Sequence, residues 1–140
     1  MILADIRLLL EEWIAEGDQI VVAMDANEDV RAPALASMFQ DLGMVEVILH
    51  QHTQAQPIAT QARNNNGIPI DCMWMTPGLQ PETASYLSFD EVYYSDHRCL
   101  WSDVPFTMAF GFNPAPIVKP TPRRLQSSDS GQVAQCNKNL

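Results

Sequence analysis

Positive charge is scarce over most of this chain. Residues 1–104 hold sixteen Asp and Glu against four Arg, a balance of −12, while residues 105–140 hold four Lys and Arg against Asp129. A surface this acidic repels a polyanion unless cations intervene, which argues against tight, metal-free nucleic-acid binding and leaves divalent-metal chemistry open. Long hydrophobic runs are missing too. The longest clean run near the start is Ile20 to Met24, far short of a membrane span. The first residues, Met1-Ile2-Leu3-Ala4-Asp5, carry neither a basic region nor a small-residue cleavage site, so no signal peptide is expected. Cysteine is sparse: Cys72, Cys99 and Cys136 are odd in number and unpatterned. They read as reduced thiols of an intracellular protein, nuclear or cytoplasmic, with no membrane partner. Internal repeats are absent.

What is present suits one domain: 140 residues, 46% of them hydrophobic. Ile2, Leu3, Ile6, Leu9, Leu10 and Trp13 recur at helical spacing ahead of Gly17, which predicts an amphipathic helix over roughly 3–16. Gln19 to Met24 reads as a strand buried on both faces. Pro33 opens a second helix with Leu35, Met38, Phe39 and Leu42 on one face and Gly43 at its end. Val45 to Leu49 is apolar and fits helix or strand equally. Gln51 to Gly67 reads as a long polar loop closed by the turn Asn64-Asn65-Asn66-Gly67. Ile68 to Thr76 is a strand on which Ile70, Cys72 and Trp74 alternate with Asp71, Met73 and Met75. Thr83 to Leu87 and Arg98 to Val104 are further strands. Five of the ten prolines fall between 105 and 122, and a Ser-, Gln- and Asn-rich end follows, so 105–140 reads as an extended tail or linker.

Three polar sites interrupt apolar runs: Asp25-x-Asn27 after the first strand, Asp71 inside the second, and Ser95-Asp96-His97 before the last. A carboxylate or imidazole so placed is expensive to desolvate unless it is paired, bound to metal or used chemically. Each site also has a plainer reading. Asp25-x-Asn27 fits an Asx turn, Asp71 a carboxylate that holds a loop, and Asp96-His97 a surface pair. His50-x-His52 has metal-ligand residue types but sits among Gln51, Thr53 and Gln54, and reads as solvated loop for want of further zinc-spaced ligands. Cys72 reads as a buried hydrophobe, not a nucleophile. Trp13, Trp74 and Trp101 fall on apolar faces and read as core. Arg123-Arg124 is a weak anion patch.

In combination, Met24-Asp25-Ala26-Asn27, Ile70-Asp71-Cys72 and Ser95-Asp96-His97 resemble, in order, the Gly-Asp-x-Asn, Ile-Asp-aromatic and Ser-Asp-His signatures of the endonuclease/exonuclease/phosphatase (deoxyribonuclease I-like) superfamily. Ser95-Asp96-His97 is the closest match; the first motif departs by Met for Gly. The resemblance covers roughly residues 4–104 and is greatest to the endonuclease regions of retroelements, where a linker like 105–125 often follows. It implies an α/β (α+β) fold in which residues 1–104 form the C-terminal half of a four-layer α/β/β/α sandwich with mixed sheets, followed by an irregular tail. Nothing upstream of Asp25 matches the Asn and metal-binding Glu that the family's first half supplies.

The activity implied by the resemblance is Mg²⁺- or Mn²⁺-dependent hydrolysis of a phosphodiester in nucleic acid, with DNA as substrate. Asp25, Asn27, Asp71 and His97 would be catalytic, and Asp96 and Asp25 metal-binding. The isolated half is expected to be inactive, its partners being the missing N-terminal half or a downstream reverse-transcriptase region. Two alternatives stand beside this: a non-catalytic relic or interaction fragment of a retroelement protein, and a phosphatase acting on inositol phosphates or phospholipids.

Overall fold

The computed structural model describes residues 2–53, 58–63, 67–91 and 94–118. The turn expected at 64–66 and the tail beyond 118 lie outside them. The first helix, α1, spans Ile2–Glu16, and α2 spans Pro33–Asp41 with proline in its first turn and Gly43 at φ +76° just past its end. Between them runs β1, Val21–Asp25. The ambiguous stretch after α2 divides into a two-residue strand, β2 (Val45–Glu46), and a short helix, α3 (Val47–Gln51). Then come β3 (Asp71–Met75), β4 (Thr83–Tyr86) and β5 (Leu100–Asp103). The stretch after residue 105, expected to be extended, begins with one helical turn, α4 (Phe106–Phe110), ended by Gly111 at φ +71°. No helix among the described residues is long and apolar enough to cross a membrane.

The chain is α+β, with a three-stranded sheet ordered β1-β3-β2 and a two-stranded pair β4-β5. Every strand pairing among the described residues is antiparallel, in place of the mixed sheets expected. The reason is topological: β3 inserts between β1 and β2, and so separates the two strands that run parallel to each other.

The alternation read from the sequence of β3 decides the packing. Cys72 and Trp74 face α1 and α2, where Leu10, Leu35, Met38 and Phe39 are buried and the Phe39 ring stacks on Trp74 with centroids 4.8 Å apart. Met73 and Met75 face the other way, onto Val47, Ile48, Leu79 and Ala84. Two expectations of burial fail. Trp13 is partly exposed, at 39%. β1 is not buried on both faces: Val21, Ala23 and Asp25 are exposed, because among the described residues no strand pairs with the far side of β1 and the β4–β5 pair forms a separate sheet.

Glu46, at the junction of β2 and α3, ties the sheet to the helix. Its Oε2 accepts from the Leu49 N–H at 2.6 Å and its Oε1 from the Met73 N–H at 3.0 Å. His52 is exposed but engaged. It caps α3, and its Nε2 lies 2.8 Å from the Ala84 carbonyl oxygen, which anchors β4.

Candidate active site

β1 and β3 pair so that Asp25 stands directly opposite Asp71. The bonds Ala26 N–H to Ile70 O and Thr76 N–H to Ile20 O make the even-numbered residues of β1 the hydrogen-bonded pairs. Asp25–Asp71 is therefore a non-hydrogen-bonded pair, the closer of the two kinds, with both side chains on one face. Two carboxylates so placed repel unless something sits between them. His97 does. Its Nδ1 lies 3.0 and 3.1 Å from the two oxygens of Asp71, and its Nε2 lies 4.0 Å from Asp25 Oδ2. An ionised carboxylate only accepts, so Nδ1 carries the hydrogen and donates it to Asp71; Nε2 is left facing Asp25.

A segment remote in sequence sets the position of His97. Gln61 and His97 form an isolated antiparallel bridge, with Ala62 N–H donating to Asp96 O and Arg98 N–H to Thr60 O, each at 2.7 Å. The Thr60 hydroxyl, fully buried, accepts from the N–H groups of Ile70 and Asp71 at 2.9 and 3.0 Å. One residue thus clamps the start of β3 and, through its carbonyl, the His97–Arg98 segment. Ser95 Oγ accepts from the His97 N–H at 3.0 Å. Arg98 points away from the cluster: it donates to the carbonyls of Ala59 and Leu87, and its guanidinium lies 4.1 Å from the centre of the Phe89 ring.

The structure thus brings Asp25, Asp71 and His97 together, with ligand atoms all within 4.8 Å of one another. Asn27 follows on the turn at φ +53°, its N–H donating to Asp25 Oδ1 at 2.9 Å; the Asx turn foreseen as the plainer reading is present. Asp96 is exposed and stands outside the three-residue cluster, although its charge acts on His97. Thr60 escaped the sequence reading, since nothing in a polar loop distinguishes it from its neighbours. Cys72 is buried, and desolvation, helped by the Glu46 charge, pushes its thiol up to about 12, so it is no nucleophile.

Desolvation pulls the His97 pKa down, but the hydrogen bond and charge of Asp71, with Asp25 and Asp96 behind, outweigh it and leave the pKa raised above 6.5. A raised folded-state pKa stabilises the fold fully below the ordinary imidazole value, and that contribution is lost as pH rises through the folded value. Asp71→Asn keeps an acceptor and removes the charge. An NMR titration of His97 is expected to give a lower pKa in this variant than in the parent; an unchanged value would mean that Asp71 does not set it.

Both Asp71 oxygens face Nδ1 and Asp25 Oδ1 takes the Asn27 N–H, which leaves Asp25 Oδ2 as the open carboxylate oxygen. A cation that uses one or two carboxylates and keeps its waters, as Mg²⁺ does, fits this set. Set against models of known protein families, curated proteins and solved structures, the chain matches none.

Proposed function

We propose that the chain carries one side of a metal-dependent phosphodiesterase centre acting on nucleic acid, with Asp25, Asn27, Asp71 and His97 as its working residues. The observation that carries the reading is the imidazole held between two facing carboxylates, one bonded to Nδ1 and the other open beside Nε2. This is the arrangement a hydrolytic centre needs. Asp25 Oδ2 accepts the proton of an attacking water, and the Asn27 amide holds that water or a non-bridging oxygen. His97, oriented by Asp71, donates from Nε2 to the phosphoryl group as negative charge builds. Asp25, with Asp96 in support, would hold Mg²⁺ or Mn²⁺, which would supply charge neutralisation. The four-layer sandwich belongs to the same proposal, with this chain contributing the half that holds these residues. Among the described residues, none before Asp25 offers a second metal-binding carboxylate beside the cluster, so the chain alone is expected to give negligible plasmid nicking.

Binding tests the reading directly. Mn²⁺ added to the chain is expected to broaden the NMR signals of Asp25 and His97 first, and Asp25→Asn to weaken that effect about tenfold or more, given one open carboxylate at the site. Uniform broadening over all the acidic residues, unaltered by Asp25→Asn, would sink the proposal.

A further inference from the structure

Among the described residues nothing guards the outer edge of β1. Since the even-numbered residues of β1 turn their backbone groups toward β3, those of Val21, Ala23 and Asp25 point away from the sheet. Among the described residues no strand pairs with them, and no side chain bonds to their outward N–H or C=O groups. Natural edges are blunted by Lys, Pro or a bulge. Val21-Val22-Ala23-Met24-Asp25 has none of these, and the side chains of Val21 and Ala23 are exposed as well.

Charge selects the occupant. Glu16 and Asp18 precede the strand, Asp25 closes it and Glu28 follows, all exposed; no Lys or Arg lies between Arg7 and Arg31. Both of those arginines are engaged, Arg7 with Glu11 and Asp41, and Arg31 with Asp29. A second copy of the chain is a poor partner. Symmetric antiparallel pairing about Ala23 would set Asp18 of one copy toward Glu28 of the other, like charge against like. Nucleic acid is repelled by the same flanks. We propose that the β1 edge receives an extended, cationic segment of a partner polypeptide, added as a fourth strand of the sheet beside Asp25. The proposal does not depend on the phosphodiesterase reading, because it uses backbone groups and flanking charge alone.

The test uses the full chain and a short synthetic peptide alternating Lys with Val, next to a counterpart with Glu at each Lys position. The Lys peptide is expected to bind, to lose affinity as salt rises, and to slow amide exchange at Val21, Ala23 and Asp25. Ala23→Pro removes only an outward N–H, so the β1–β3 ladder survives, while binding is expected to fall at least about tenfold. Ala23→Lys keeps the N–H, adds a repelling charge, and should weaken binding too, which gives a second variant if the proline one misfolds. Equal binding of the two peptides, or unaltered binding by both variants, would overturn the proposal. So would protection of those three amides in the free chain, or protection that grows with chain concentration, since either would show the edge already taken by another occupant.

Discussion

Thr60→Val is expected to destabilise the chain by about 2–5 kcal/mol, because two buried N–H groups lose their acceptor while shape and volume stay nearly constant. The two donors are the N–H groups of Ile70 and Asp71, at 2.9 and 3.0 Å from the hydroxyl. Neither has water in reach as a substitute, for Thr60 has no exposed surface. The effect should extend to the site. Asp71 sits at the first residue of β3, held there by the Thr60 hydroxyl, and any loosening lets its carboxylate drift from His97 Nδ1. Urea unfolding is therefore expected to show a lower midpoint, and the His97 titration a pKa moved toward the ordinary imidazole value. Thr60→Ser, which keeps the hydroxyl, should recover most of both. A loss below about 0.5 kcal/mol for the valine variant would place it with ordinary surface substitutions and refute the clamp.

The parts of the fold legible in the sequence are those in which one segment's pattern decides its own environment. The helical spacing of Leu3, Ile6 and Leu10 and the alternation of Asp71, Met73 and Met75 against Cys72 and Trp74 are of this kind, and both recur in the structure. β1 shows the limit. An apolar run marks a strand, yet whether its faces are covered depends on neighbours that the run does not encode, and among the described residues one side of β1 is uncovered. The meeting of Asp25, Asp71 and His97 was legible as three polar interruptions of apolar runs. Their geometry was not: it depends on the register that sets residue 25 against 71, and on the 60–62 segment whose bridge delivers His97. The Val45–Leu49 stretch was ambiguous because both readings are right in turn, the change falling at Glu46.

Glu46 carries the second large effect. Burial raises its pKa above 4.5, even though the N–H groups of Met73, Leu49 and Ile48 favour the charged form. Removing the side chain orphans the Met73 and Leu49 donors and takes the cap from α3, so Glu46→Ala is expected to cost about 2–5 kcal/mol at neutral pH. The pH dependence has a definite sign. A carboxyl whose folded-state pKa is raised adds stability that is fully present below 4.5 and is lost as pH rises through the folded value. The stability difference between the parent chain and Glu46→Ala should therefore be largest in mild acid and shrink toward neutrality. Urea unfolding of both proteins across that range reads the difference directly. A gap that widens with pH would mean that the backbone donors, not desolvation, govern the carboxyl. β2 and α3 would then be held to β3 by a permanently charged group, accepting from Met73 on one oxygen and Leu49 on the other.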